Sequence, residues 1–221
     1  MDVIVGGPRD VRATLDGDTG TTCVVACPPH PQQRGSRSDE RLRAVSGSLV
    51  DRGVDCLRID YGPWAEGEGE VRDAVAALRH CVAELGYDRI GLFGYSFGGC
   101  VALLSAARGT GVGDGTAGGD RAEADRETDV GHGVEVAAVS ALAPDRRLSA
   151  GLDAVAAARA LTIPTQVVYG SRDTTVNWEP VAEAVRDRGE EVVELPADHF
   201  FVGQAGTVAE RVAPFLVAAL G

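Results

Sequence analysis

Short apolar runs rich in β-branched residues alternate along this chain with stretches whose apolar residues recur at helical spacing, and this alternation narrows the possible folds most. Residues 11–15, 21–26, 54–60, 89–93, 134–142, 165–169 and 191–195 read as strands, most of them bounded by turn-forming residues. Leu42, Val45, Leu49 and Val50 share one helical face, after Ser and Asp residues able to cap its start. Val71, Ala74, Val75, Leu78, Val82 and Leu85 step along a second helix that Gly86 ends. Residues 97–107, 178–188 and 204–220 complete the helices, and Pro214 is expected to kink or split the last one. Strands alternating with helices predict an α/β fold, a mostly parallel sheet with helices on both faces. The first two strands have no helix between them and are expected to pair antiparallel at the edge. Ligands of such sheets bind at the carboxyl ends of the strands, so the chemistry is sought there.

A chain of 221 residues hides roughly 70% of its unfolded surface, enough for one core, and one domain over residues 1–221 is expected. Residues 109–133 break the pattern, with eight glycines and six acids against two arginines and almost no large apolar side chain. Such a stretch cannot bury enough to order itself, and a solvated surface insertion is expected rather than a lid.

Charge excludes whole classes of partner. The net charge is −12, from 33 acids against 21 cations, all of them arginine. Nucleic acids and anionic membrane surfaces both require a basic footprint, so neither is an expected partner. The lysine-free acidic composition fits salt adaptation, and it fits equally a genome that favours arginine codons. No apolar run approaches the ~18 residues that span a bilayer. The first ten residues lack a basic, then apolar, leader pattern, so a cytoplasmic location is expected. Cys23, Cys27, Cys56, Cys81 and Cys100 are odd in number and lack metal-site spacing. They are expected as buried free thiols, with no metal and no cofactor.

The sharpest local signal is Gly94-Tyr95-Ser96-Phe97-Gly98, followed by Gly99, the one G-x-S-x-G string in the chain. It lies between the strand at 89–93 and the helix at 97–107, the strand–turn–helix context of a nucleophile elbow. Glycines on either side let the backbone turn sharply and lift the serine hydroxyl above the sheet. A serine needs a base, and the chain has four histidines: His30, His80, His132 and His199. His80 falls inside a helix and His132 inside the Gly-rich insertion. His199, in Leu195-Pro196-Ala197-Asp198-His199-Phe200-Phe201, follows the last strand at the carboxyl edge. For the acid that orients it, Asp173 follows the strand at 165–169, and Asp145, after the preceding strand, competes. Asp198 adjoins His199 in sequence, a poor geometry for a partner. The order Ser96, Asp173, His199 is that of α/β-hydrolase triads.

On these residues the chain resembles the α/β-hydrolase superfamily, and within it the small lidless, dienelactone-hydrolase-like branch. The resemblance runs from about Thr22 to the end of the sequence. It rests on Cys27-Pro28-Pro29-His30-Pro31, on residues 94–99, on residues 170–176 and on residues 197–201. Against the branch pattern, Pro28 stands for a histidine and Arg34 for a glycine. The turn after Asp60 lacks an arginine, and Ser96 stands where dienelactone hydrolases carry cysteine. The resemblance implies an α/β-hydrolase fold without a cap domain, and catalytic Ser96, Asp173 and His199. It also implies an oxyanion hole made of the backbone N–H groups of Phe97 and Gln32. Trp64, Tyr95, Trp178 and Phe200 cluster near the carboxyl ends and are candidate pocket residues. The expected function is a serine hydrolase of small acyl substrates, foremost carboxylic esters. A thioesterase or small-peptide hydrolase would use the same triad, and a non-catalytic binding protein of the same fold is the remaining alternative.

The charge arithmetic has a measurable consequence. Compaction concentrates carboxylate repulsion, which salt relieves as the Debye length falls from ~10 Å at 0.1 M to ~3 Å at 1 M. If salt adaptation is the reason for the missing lysines, the melting temperature rises between about 0.1 M and about 2 M KCl. A flat or falling melting temperature assigns the composition to codon usage.

Overall fold

The computed structural model describes residues 1–18, 20–109 and 134–221; apart from Gly109, the Gly-rich stretch expected as an insertion lies outside them. The chain begins with β1 (Asp2–Val5), β2 (Val11–Asp16) and β3 (Thr22–Cys27), then a 3₁₀ turn at Pro31–Gln33. Next come α1 (Glu40–Val50), β4 (Asp55–Asp60), α2 (Glu68–Ala83), β5 (Arg89–Tyr95) and α3 (Phe97–Gly109). After the undescribed stretch follow β6 (Val136–Leu142), a small hairpin of β7 (Arg147–Ser149) and β8 (Leu152–Asp153), and α4 (Ala154–Ala160). The chain closes with β9 (Thr165–Gly170), α5 (Glu179–Asp187), β10 (Glu191–Leu195) and α6 (Ala205–Leu220).

Eight strands form one sheet in the order β1-β2-β4-β3-β5-β6-β9-β10, and from β4 to β10 every neighbouring pair is parallel. The antiparallel edge exists, but its membership differs from the sequence expectation. β2 and β3 do not pair; β4 lies between them and runs antiparallel to β2, while β2 pairs outward with β1. Burial explains the arrangement. In β3 Cys23 to Cys27 are all buried, so both faces are covered and it belongs inside a parallel sheet. β2 alternates buried residues with exposed or half-buried ones, which suits an antiparallel strand next to the edge with one face partly open. β1 is four residues long with Ile4 exposed, too short a pattern to read from the sequence.

Strand residues alternate between two apolar layers, as the two-residue period requires. Val25, Leu57, Leu92, Val139 and Val167 pack with α2, α3, α4 and α5 on one face. Val24, Cys56, Phe93, Ala138 and Val168 pack with α1 and α6 on the other. α6 runs unbroken through Pro214 rather than splitting. Val208 and Val212 before the proline and Leu216 and Leu220 after it bury one continuous face. Pro214 and Glu210, whose carbonyl loses its partner, both lie on the exposed side where water can replace the bond. Between β6 and β9 the chain holds only the hairpin and the seven-residue α4, so no cap domain is present there. Among the described residues no helix is long and apolar enough to cross a membrane.

The α1–α6 layer should carry much of the stability. Leu42→Ala, at a fully buried site between them, should cost about 2–5 kcal/mol in urea unfolding. Val82→Ala, on the exposed side of α2, should stay within about 0.5 kcal/mol.

Candidate active site

At the carboxyl edge of the sheet, β5 gives way to α3 within one residue. That residue, Ser96, sits at φ 56°, in the left-handed region where side chains are strained. Its N–H donates to the Leu142 carbonyl of β6 at 2.7 Å, which holds the turn in place. The flanking glycines are required by contact rather than by their own dihedrals. A Cβ on Gly94 would stand 1.9 Å from the Gly98 carbonyl oxygen, and one on Gly98 would stand 2.2 Å from that of Cys27. The strand end, the helix start and the turn after β3 therefore meet backbone to backbone.

The base and the acid come from the two loops that follow β10 and β9. Ser96 Oγ lies 2.9 Å from His199 Nε2. His199 Nδ1 lies 2.7 Å from Asp173 Oδ2. Both partners are buried, and the second carboxylate oxygen accepts from the Thr175 N–H at 2.9 Å. With Nδ1–H directed at the carboxylate, Nε2 presents its lone pair to the serine hydroxyl. Asp145, the competing acid, accepts instead from the backbone N–H groups of Arg146 (2.6 Å) and Asn177 (3.3 Å). Asp198 accepts from the Phe200 N–H. His80 lies on α2, and His132 falls outside the described residues.

The oxyanion candidates differ. Phe97 opens α3, so its N–H, next to Ser96 in the chain, has no helical carbonyl to bond. The Gln32 N–H is not free, as the resemblance implied; it donates to His30 Nδ1 at 3.2 Å. Pro31 starts the 3₁₀ turn and His30 caps it, and this local turn chemistry occupies the amide. Gln32 could serve as a second donor only by giving up that bond.

The four candidate pocket aromatics separate into two kinds. Tyr95 is buried, and its hydroxyl donates to the His199 carbonyl at 3.0 Å. Trp178 stacks on Tyr169 with centroids 3.8 Å apart, and its indole N–H donates to the Asp173 carbonyl at 3.2 Å. These two steady the triad loops, Tyr95 from a buried position and Trp178 from a half-buried one. Trp64 and Phe200 are exposed. Trp64 packs on His30 and Phe97 at 4.7 and 5.7 Å, and Phe200 meets His199 edge-on at 5.5 Å. Arg41 was not legible as a site residue. From α1 it donates to the Phe200 carbonyl at 2.9 Å and lies 4.6 Å over the Tyr95 ring. Its sequence context shows only the neighbouring acids Asp39 and Glu40; its two contacts at the site, Tyr95 and Phe200, are 54 and 159 positions away.

No protein-family model matches the chain, and no curated protein matches it. Solved structures do. An α/β serine hydrolase homologue from Coxiella burnetii is similar at 23% identity and a TM-score of 0.74, covering 98% of this chain and 97% of that one. A lidless α/β serine hydrolase from Xanthomonas campestris is similar at 18% identity and a TM-score of 0.72, covering 100% and 94%. A dienelactone hydrolase from Anabaena variabilis is similar at 20% identity and a TM-score of 0.74, covering 100% and 98%. The chain has the α/β-hydrolase fold in its small form, with no cap domain among the described residues.

Cys100, one helical turn after Ser96, is the neighbouring nucleophile to weigh. Burial raises its thiol pKa, and its Sγ donates to the Asp145 carbonyl, away from the relay. Burial likewise pushes Cys27 and Cys56 up to about 12. All five cysteines are free and buried. A disulfide reagent at about pH 8 should therefore titrate none of them in the native protein and five after denaturation. A fast-reacting native thiol would show that a cysteine reaches the surface.

Proposed function

We propose that this protein is a serine hydrolase of the acyl-transfer class whose substrates are carboxylic esters. The observation that carries this reading is the relay from Ser96 through His199 to Asp173, set on a strained elbow. As His199 Nε2 takes the hydroxyl proton, Ser96 Oγ attacks the ester carbonyl carbon. Asp173 holds the imidazole in the tautomer that can accept that proton and stabilises the resulting cation. Charge develops on the former carbonyl oxygen, next to the Phe97 N–H at the positive end of α3. His199 then returns the proton to the leaving alcohol, and a water activated by the same nitrogen clears the acyl-serine.

A structurally similar protein from Pyrococcus furiosus is named an esterase, which supports esters over thioesters and peptides. A fluorophosphonate probe tests the reading directly. Wild-type protein should be labelled at Ser96 and should hydrolyse simple esters, and a folded Ser96→Ala variant should do neither. Asp173→Asn should lower turnover on the order of 10³- to 10⁴-fold by favouring the wrong imidazole tautomer, while Asp145→Asn should leave it near wild type. Turnover retained in folded Ser96→Ala would remove the assignment, and the opposite ranking of the two asparagine variants would move the acid to the β6 loop.

A further inference from the structure

The loop after β4 carries an exposed tryptophan and is held with unusual completeness. Trp64 is 38% exposed, although its neighbours in space, His30 and Phe97, pack their rings against each other at 4.8 Å. The backbone on both sides of it is bonded to charged side chains. Glu70, fully buried, accepts from the Ala65 N–H with one oxygen and from the Gly67 N–H with the other, both at 2.8 Å. Asp73 accepts from the Gly62 N–H at 2.9 Å and from Arg9 Nε and Nη2, and the same Nη2 also donates to the Pro63 carbonyl. Tyr61 reaches across to the Pro28 carbonyl and ties the loop to the turn after β3. Burying a carboxylate such as Glu70 is costly unless its acceptors are filled, and here they are filled by the backbone that flanks Trp64. A loop that merely covered the core would bury its indole. This loop instead holds its backbone in place and presents part of the indole to solvent, with ring contacts to His30 and to Phe97, the residue after the nucleophile.

We propose that Trp64 is a substrate shelf that takes a flat aromatic group in the acyl half of the ester. The inference rests on the hydrolase reading above and adds the substrate class. The assignment to the acyl half follows from the direction of the chemistry. The leaving oxygen must face His199 Nε2, which protonates it. Trp64 instead meets the elbow and the turn after β3, with ring contacts to His30 and Phe97, and Phe200 is the exposed ring beside His199. A planar ring stacks on the indole face as a saturated ring of the same carbon count cannot. The shelf is set before the substrate arrives, so little ordering opposes binding.

The test compares methyl 3-phenylpropanoate with methyl 3-cyclohexylpropanoate, matched in reach and leaving group, and benzyl acetate with cyclohexylmethyl acetate, matched in reach and acyl group. In the acyl pair the aryl ester should have a KM lower by about three- to ten-fold, with kcat similar. That ratio should fall towards one in Trp64→Leu, persist in Trp64→Phe and weaken in Glu70→Gln, where an amide N–H₂ would face a backbone N–H. A wild-type ratio of one, a ratio unchanged in Trp64→Leu, or a Trp64-dependent preference confined to the acetate pair would overturn the proposal. Fluorophosphonate labelling of Ser96 reports separately on the hydrolase reading. If no ester is cleaved, binding of 3-phenylpropanamide against 3-cyclohexylpropanamide by tryptophan fluorescence still decides. An aryl preference abolished by Trp64→Leu keeps the shelf, and equal affinities remove it.

Discussion

The structure depends most on a contact that involves no side chain. α3 starts so close to the end of β3 that the Gly98 Cα lies against the Cys27 and Pro28 carbonyls, where a Cβ would stand 2.2 and 2.5 Å from their oxygens. This approach forces the chain to reverse over one residue, and Ser96 absorbs the reversal in a left-handed conformation. Three properties of the site follow from it together. The hydroxyl is lifted clear of the sheet, the first amide of α3 is left unpaired beside it, and Phe97 is fixed as the floor on which His30 and Trp64 pack. Strain of this kind costs on the order of 1–3 kcal/mol, and the fully buried apolar residues along α3 and β5 offset it.

A relay of three side chains on three loops is only as exact as the loops. Here the loops of the base and the acid are each fixed by an aromatic donor bonded to the backbone carbonyl of the reactive residue itself, Tyr95 for His199 and Trp178 for Asp173. Arg41 adds the next carbonyl, that of Phe200. Phe201, at φ 46° yet fully buried, anchors the far end of the base loop in the α1–α6 layer. The bond to the His199 carbonyl is buried, so breaking it would leave a costly unpaired carbonyl and it constrains the base loop most. Tyr95 is adjacent to the nucleophile in sequence and bonded to the base in space, which couples the elbow to the imidazole.

The sequence made the elbow, the strand–helix alternation and the order Ser96, Asp173, His199 legible because these depend on local patterns: glycine spacing, apolar period and position after a strand. It did not reveal that β4 separates β2 from β3, since pairing partners are chosen by burial on both faces and not by adjacency in the chain. The short β1 and the hairpin between β6 and β9 were missed because three or four residues carry no period. Tyr95 and Trp178 were visible as aromatics near the site, but their hydrogen bonds to loop carbonyls, which give them a supporting role, exist only in three dimensions. That the Gln32 amide is engaged by His30, which caps the 3₁₀ turn, is likewise a matter of local geometry that the sequence did not display.

The absence of lysine gains a partial structural reason from the same loops. Arg9 bonds both oxygens of Asp73 and the Pro63 carbonyl. Arg58 bonds both oxygens of Asp16 and the Arg37 carbonyl. Arg41 joins both oxygens of Asp39 to the Phe200 carbonyl. Each uses the planar fork of the guanidinium to reach a carboxylate edge and a separate carbonyl at once, which an ammonium's point charge does not reproduce. At these three positions arginine is dictated by geometry, whatever the genome or the salt. Codon usage and salt adaptation therefore compete over the remaining arginines, among them exposed ones such as Arg72, whose partner Glu68 is also open to solvent. Screening acts chiefly on such exposed charges and little on the three forks. Salt should thus alter the stability of the whole fold while leaving the loop geometry around Ser96 intact.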